Sequence, residues 1–524
     1  MARHFLGLDC STQSLSACII DLDGGQVVHR DAVHYSSLPA YGTRNGVLPH
    51  DDDTRVVHAP PLLWVEALDL LLDRLSHTWG DLFSILAISG SAQQHGSVYL
   101  GAAAKYALRG LDAGSGLASS LKAALSRPTA PTWMDSSTTV QCAELERDMG
   151  GALAMAQATG SRAYERFTAA QIRRFHQTDP EAYAQTLHVA LVSSFLASVL
   201  SGEVAPLDHC DGSGTNLMDI GARRWHAGAV SSTAPDLARR LPELAPPWTV
   251  IGPLAPYFEQ RHGFNAGSQS VIWSGDNPCS VVGLGLLEPG AAAISLGTSD
   301  TYFGIMKECR VDPHGEGHVF ASPAGDYMTL ICFHNGSLAR EAIRDAHGLD
   351  WAGFSAALRA TPPGNHGRLM LPYLVPEIVP RVPRPGVVRR GFDEHDRDAS
   401  CRALVEAQMM SMRLHSHWMG ARPHRIIATG GASRNLDILQ IMADVHGCPV
   451  HQHKSQDSAA LGAALRAAHA HLLHRGEAVS WAQLTSPFTN QGATDREVRP
   501  DPMAEKTYDE LLPQYAELEK AATH

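Results

Sequence analysis

Three short runs of apolar and β-branched residues open the chain, at 4–9, 17–21 and 26–35, joined by Ser/Thr/Gln and Asp-Gly-Gly turns. Runs of that length, bounded by turn formers, predict an antiparallel meander. The polar stretch 44–61 reads as a loop, and its Asp51-Asp52-Asp53 as a solvated bend rather than a metal site. Apolar positions at helical spacing over 62–75 predict a helix. The run 84–89 predicts a buried strand that empties into Gly90-Ser91-Ala92-Gln93-Gln94-His95-Gly96. A strand that ends in a Gly-flanked polar loop is where α/β proteins place their chemistry. Residues 101–131, rich in Ala, Gly and Ser, read as an insertion, and a run of helices follows to about residue 200.

From 291 the opening pattern returns: 291–295 and 302–306 are apolar runs on either side of Leu296-Gly297-Thr298-Ser299-Asp300-Thr301. Two copies of strand, hydroxyl turn and strand point to two similar halves, although so loose a match also arises by chance. A helix over 354–360 stops at Pro362-Pro363, and the prolines that follow, to Pro385, predict a long irregular excursion. Helical spacing resumes over 402–418. The run 425–429 is a strand leading into Gly430-Gly431-Ala432-Ser433-Arg434-Asn435 and a further helix. A last strand at 450–453, an Ala-rich helix over 458–473 and a charged amphipathic helix over 508–521 complete the pattern.

The most informative stretch lies between the halves. Val271-Ile272 precedes Trp273-Ser274-Gly275-Asp276-Asn277-Pro278, and an apolar segment follows. This order predicts a strand, a turn and a helix with Asn277 as its N-cap and Pro278 at its first position. Asp276 then lies at a helix mouth, where the partial positive charge of unpaired N–H groups favours the ionised carboxylate. Such a group is placed to take a proton from a hydroxyl attacking phosphorus. An ordinary capped core helix reads the same way.

Composition narrows the field. A chain of 524 residues suggests two large domains. A net charge of -12 with no Lys/Arg-rich run argues against nucleic acid and anionic membranes as partners. Lysine occurs only six times and never in a Gly-rich turn, so any bound phosphate must rely on backbone N–H groups, hydroxyls and metal. The nine cysteines (10, 18, 142, 210, 279, 309, 332, 401, 448) never fall in a C-x-x-C spacing, which predicts reduced thiols and a cytoplasmic protein. The first residues enter a strand at once, predicting no signal peptide. Glu288-Pro289-Gly290 cuts the most apolar run, predicting no membrane span.

Asp9, at the tip of the first hairpin, suits Mg²⁺, with the N–H groups of Ser11, Thr12 and Gln13 toward phosphate; it equally suits a turn held by its own side chain. Thr298 lies in a second small-residue turn open to phosphate, which a plain tight turn also explains. The double glycine before Ala432 suits either a flat ring or a simple strand-to-helix joint. Gln94, His95, Asp135 and Arg166 are polar groups suited to a polyol, each also explicable as a satisfied core or surface residue. His29-Arg30-Asp31 lies on a strand and lacks the remaining parts of a protein-kinase catalytic loop. No P-loop pattern exists. The pairs His415/His417 and His451/His453 lack a third ligand.

In order along the chain, Gly7-Leu-Asp-Cys-Ser-Thr-Gln13, Ser89-Gly-Ser-Ala-Gln-Gln-His-Gly96, Trp133-Met-Asp-Ser-Ser-Thr138, Gly160-Ser-Arg-Ala-Tyr-Glu-Arg-Phe-Thr168, Gly275-Asp-Asn-Pro278, Gly297-Thr-Ser299, Phe333-His-Asn-Gly-Ser-Leu338 and Gly430-Gly-Ala-Ser-Arg-Asn435 resemble the FGGY family of carbohydrate kinases. Within that family they resemble the eukaryotic-type D-xylulose kinases. The resemblance implies an α/β fold of two actin-like, RNase H-like domains flanking a catalytic cleft: a sugar-binding domain over 1–288 and a nucleotide-binding domain over 289–524. It implies transfer of the ATP γ-phosphoryl group to the 5-hydroxyl of D-xylulose with Mg²⁺, in a monomer or homodimer.

By match to family positions, Asp276 is the general base and Asp9 lies near the metal. Ser11, Thr12, Gln13 and Thr298 contact phosphates, and Gly431, Ala432 and Asn435 hold adenosine. His95, Arg166, Asp276 and Asn277 hold the sugar. Glycerol kinases carry Arg-Glu where this chain has Gln94-His95, which argues against glycerol. The 101–131 segment, and His334 where a lysine is expected, depart from the family pattern. Kinases of D-ribulose or L-ribulose, and a non-catalytic nucleotide-gated protein of the same fold, are the alternatives.

Overall fold

The computed structural model describes residues 3–50, 52–420, 422–453 and 457–523; Asp51 of the acidic run lies outside them. The chain divides into two compact units: Met1–Leu287 with Phe320–Asp326 and Gln456–Asn490, and Glu288–Val319 with Tyr327–Ser455 and Gln491–His524. The expected division into 1–288 and 289–524 therefore differs from the folded units, because Phe320–Asp326 and the helix Ser458–His474 belong to the first unit. The Ala-rich face of that helix is flat enough to lie directly on the first sheet. At its crossing with the helix Asp276–Gly283, a Cβ on Gly462 would fall 1.8 Å from the Cys279 carbonyl oxygen, so only glycine permits this approach.

In the first unit, strands β1 (His4–Cys10), β2 (Ser14–Asp21) and β3 (Gln26–His34) form the predicted antiparallel meander. On the other side of β1 lie β4 (Ile85–Ala92) and then β5 (Gln269–Val271), both parallel, and β6 (Ser274–Gly275) pairs with the end of β4. Strand β4 runs three residues beyond its predicted end because Gly90, Ser91 and Ala92 continue the ladder with β1. The helix Pro61–Thr78 buries Leu63, Trp64, Ala67, Leu68, Leu71 and Leu75, the i, i+3, i+4 face, into a core with Leu6, Leu8, Ile19 and Ile88.

The segment 101–131 is not a loose insertion. It forms the helices Ala104–Arg109 and Leu117–Leu121 and contributes Leu108, Leu117, Leu121 and Ala124 to the same core. The expected run of helices to residue 200 is interrupted by the strand His188–Leu191, which pairs with Ser97–Leu100.

The second unit repeats the plan. Strands β7 (Ala291–Leu296), β8 (Asp300–Met306) and β9 (Tyr327–Phe333) form an antiparallel meander. Strands β10 (Arg425–Thr429) and β11 (Val450–His453) add in parallel on the other side of β7. The order and sense of β3-β2-β1-β4-β5 and of β9-β8-β7-β10-β11 are the same, so the loose sequence repeat reflects a repeated topology.

The proline-rich stretch is more regular than expected. Leu369–Tyr373 and Gly386–Arg390 pair antiparallel, with Leu369, Met370 and Leu371 buried. A two-stranded ribbon tolerates Pro372 because it needs few ladder bonds. The C-terminal helix runs over Pro502–Thr523. It docks rather than projecting, with Tyr508 and Tyr515 buried and the Tyr508 hydroxyl donating to Glu406 Oε1 at 2.7 Å.

Candidate active site

Register brings the first set of residues together. On β1, β4 and β6, Asp9, Ser91 and Ser274 are successive neighbours across the sheet, so Asp276, two residues beyond Ser274, emerges beside Asp9. Asp9 Oδ1 accepts from Ser91 Oγ at 2.6 Å and Oδ2 from Ser11 Oγ at 2.5 Å. Burial raises the Asp9 carboxyl above its ordinary range, opposed by those two hydroxyls.

The predicted helix start is displaced. Asp276–Gly283 is helical with Gly275 as N-cap, so Asn277 and Pro278 lie inside the first turn, and Asn277 is not the cap. The side-chain amide of Asn277 is used elsewhere: Nδ2 donates to Gln94 Oε1 at 2.9 Å and to Asp276 Oδ1 at 3.0 Å. The electrostatic expectation for Asp276 is also reversed. Burial, reinforced by the negative charges of Asp9 and Asp211, pushes its carboxyl up to about 7, against the smaller opposing effect of the Asn277 N–H. A helix mouth contributes only a fraction of a charge, and partial burial beside two acids outweighs it.

His95 and Arg166 meet at one aromatic cluster. The His95 ring lies 4.1 Å from that of Phe167, and its carbonyl accepts from Thr168 Oγ1 at 3.0 Å. The Arg166 guanidinium lies 5.5 Å from the Tyr164 ring centroid and 6.0 Å from that of Phe167.

Asp135, the other polyol candidate, does not join them. It is buried, and its carboxylate accepts from the N–H groups of Val57 and Ser137 (both 3.0 Å), from the Ser137 hydroxyl (2.5 Å) and from Gln171 Nε2 (2.8 Å). It ties loops together and has no capacity left for a sugar.

At the first hairpin turn, the Ser11 N–H donates to the Ser14 carbonyl at 3.0 Å, so that donor is spent within the turn. Thr12 Oγ1 accepts from Trp133 Nε1 at 2.8 Å, and the Gln13 side chain is exposed.

In the second unit, β7 and β10 are parallel neighbours with Ser295 opposite Thr429. The turn carrying Thr298 and the Gly430-Gly431-Ala432 segment therefore leave the same end of the sheet. Thr298 and Gly431 are exposed. The Thr298 turn is braced by the Ser337 N–H on the Gly297 carbonyl at 2.8 Å. Behind it, Arg340 donates to both oxygens of Asp300 at 2.8 Å in a sealed ion pair. Asn435 is the N-cap of the helix Leu436–His446. Its Oδ1 accepts from the N–H groups of Asp437 and Ile438, and its Nδ2 donates to Ser355 Oγ at 2.7 Å. Its amide is thus committed to protein groups at both ends. His334 bonds through Nδ1 to the Pro376 carbonyl at 2.9 Å.

Two further residues of the first unit belong to this arrangement and have no role by local pattern: Ser91, within the loop motif after β4, and Asp211. The signal for Asp211 was legible: Asp208 and Asp211, three apart before Gly212-Ser213-Gly214, form a short capped helix in which the Asp211 N–H donates to Asp208 Oδ1 at 2.8 Å.

A solved xylulose kinase from Rhodospirillum rubrum aligns over 99% of both chains with a TM-score of 0.83 at 20% identity, which defines the class of fold: two actin-like α/β domains. Family patterns for the FGGY carbohydrate kinases match twice, the N-terminal domain over residues 128–283 and the C-terminal domain over 292–471. The chain is 44% identical over 493 residues to xylulose kinase 2 of Arabidopsis thaliana (90% of this chain, 88% of the relative). It is 43% identical over 530 residues to xylulose kinase of Rattus norvegicus (99% and 97%). This chain belongs to the FGGY family of carbohydrate kinases.

Proposed function

We propose that this protein transfers the γ-phosphoryl group of ATP to the 5-hydroxyl of D-xylulose, with Asp276 as general base. Similarity to xylulose kinases over nearly the whole chain supports the substrate. The observation that carries the mechanism is the placement of Asp276, which emerges beside Asp9 and is braced through Oδ1 by Asn277, with burial raising its carboxyl to about 7. A group titrating there is strong enough to take the hydroxyl proton while still partly ionised at neutral pH. Among the described residues no side chain donates to Oδ2, which is left to receive that proton. Because the transition state is loose, positioning supplies most of the rate, and His95, Arg166 and Asn277 orient the sugar for it.

The Ser11 and Ser91 hydroxyls beside the Asp9 carboxylate are oxygen donors that suit a hard cation, and Asp9 would hold Mg²⁺ directly or through water. When bound, the cation neutralises charge on the transferring phosphoryl group. Thr12, Gln13 and Thr298 would contact phosphates, whereas Ser11, with its N–H committed to Ser14 and its hydroxyl to Asp9, would shape the turn. Gly431 and Ala432 would accept the adenosine, with Asn435 shaping that segment as a helix cap. Among the described residues no helix is long and apolar enough to cross a membrane. All nine cysteines are free thiols, which is the state expected in a reducing cytoplasm.

A panel of D-xylulose, D-ribulose, L-ribulose and glycerol with coupled ADP detection tests the assignment. The expected result is the highest kcat/KM on D-xylulose. Preference for another ketose would move the substrate, and no sugar-stimulated turnover would replace the kinase reading with a binding role.

A further inference from the structure

Behind Asp276 runs a line of side chains that the reaction as described does not use. Asn277 Nδ2 donates to Gln94 Oε1 at 2.9 Å, Gln94 Nε2 donates to Asp211 Oδ1 at 3.0 Å, and Ser193 Oγ donates to Asp211 Oδ2 at 2.5 Å. Gln94, Asp211 and Ser193 are all buried, at 4%, 2% and 0% exposure. The far end is anchored: the Asp211 N–H donates to Asp208, whose carboxylate is paired with Arg466 at 3.0 Å. At the near end, a Cβ on Gly275 would lie 2.4 Å from Gln94 Cγ, so glycine there is what lets Gln94 reach both neighbours.

The line has a direction. A side-chain amide has one accepting and one donating end, and either orientation fills the same space. Asp276 and Asp211, the acids at the two ends, each take a donor from the amide beside them. Only one arrangement satisfies both: Nδ2 of Asn277 toward Asp276 and Gln94, and Nε2 of Gln94 toward Asp211. Turning Gln94 over would set its N–H groups against Asn277 Nδ2 and its carbonyl against Asp211, with almost no water to repair either contact.

We propose that Asp211 is a positioning residue. Through Gln94 it fixes the orientation of the Asn277 amide, so that Nδ2 braces Asp276 and Oδ1 is presented to the sugar as a hydrogen-bond acceptor. Asn277 Oδ1 accepts from no protein group among the described residues, leaving it for a sugar hydroxyl. A buried acid is costly where packing alone is needed, and a directional role accounts for its presence. The inference rests on the reading of Asp276 and Asn277 as the groups that face the sugar.

The test is steady-state kinetics of the full chain with D-xylulose and ATP·Mg²⁺ for Asp211→Ala, Asp211→Asn and Gln94→Leu. For Asp211→Ala and Gln94→Leu, kcat/KM for the sugar should fall by about tenfold or more through both a higher sugar KM and a lower kcat, with the ATP KM within about twofold. Asn at 211 still accepts from Gln94 through Oδ1 while donating to Ser193, so Asp211→Asn should stay within about threefold of wild type.

Folded Asp211→Ala with wild-type sugar kinetics overturns the proposal. Equal losses toward sugar and ATP, the mark of a general structural role, also overturn it, as does Asp211→Asn being as impaired as Asp211→Ala. Should Asp211→Ala not fold, Gln94→Leu decides by the same thresholds. If wild type prefers another ketose, the series is read with that ketose, so an error in the substrate assignment and a failure of this inference remain distinguishable.

Discussion

Arg466 and Asp208, 258 residues apart in the chain, form a sealed ion pair at 3.0 Å, with side-chain exposures of 1% and 0%. The pair joins the late helix Ser458–His474 to the cap of the short helix that carries Asp211. It explains why a segment so near the C-terminus is part of the first unit. Arg466 also donates to the Pro247 carbonyl at 3.0 Å, so its burial is compensated by more than one acceptor.

Removing one partner leaves a bare charge in a dry interior. Arg466→Met is expected to cost about 3–5 kcal/mol, the range for breaking a buried pair. The double variant Arg466→Met with Asp208→Asn should recover part of that loss. Denaturant unfolding of the two variants and wild type measures both effects.

Asp276→Asn keeps the shape of the site and removes the proton acceptor. Its kcat should fall by roughly 10²-fold or more, the scale of general-base loss, with ATP KM nearly unchanged. Turnover within about tenfold of wild type would assign the proton to another group.

The pH dependence follows from two carboxyls, Asp276 and Asp211, each pushed up to about 7. A base must be unprotonated to act, so kcat/KM should rise with pH along an acidic limb whose midpoint is near 7, as a property of the coupled acids. Stability runs the other way. Between the ordinary range of an unfolded aspartate, about 4, and about 7 the folded state holds more protons than the unfolded state, so stability falls as pH rises through that window. Asp276→Asn should flatten this fall. Thermal unfolding of both proteins from pH 5 to pH 8 gives the comparison, and parallel curves would contradict the raised value.

Neighbouring glycines separate structure from binding in the second unit. Gly430 has φ +84°, and a Cβ there would lie 2.5 Å from the Leu296 carbonyl oxygen, so Gly430→Ala should cost about 1–3 kcal/mol of stability. Gly431 has nothing within 4 Å of its would-be Cβ. Gly431→Val should therefore leave the unfolding temperature unchanged while raising the ATP KM several-fold, with the sugar KM unaffected. An unchanged ATP KM would remove Gly431 from the nucleotide site.

Much of the site was readable because its residues lie in short contiguous motifs. Asp9 with Ser11, and Gly275 with Asp276 and Asn277, are each local, and the hydroxyl turns and double glycine announce themselves through chain geometry. The errors share a cause. Local pattern makes Asn277 a cap and leaves Asp135 open between a polyol ligand and a satisfied core residue, because their partners, Gln94 and Gln171, lie 183 and 36 residues away. Asp276 was expected to be held ionised because the helix mouth is visible in sequence, whereas the two acids that oppose it approach only after folding.

Alternation and turn chemistry, which are local properties, determined the two meanders, the strand-to-helix joints and the acid at the mouth of the helix that begins at Asp276. Three features were decided only in the folded chain: the return of residues 456–490 to the first unit, the docking of segment 101–131 into its core, and the line from Asp276 to Asp211. They depend on which surfaces exclude water together, and that is set by contacts between residues distant in sequence.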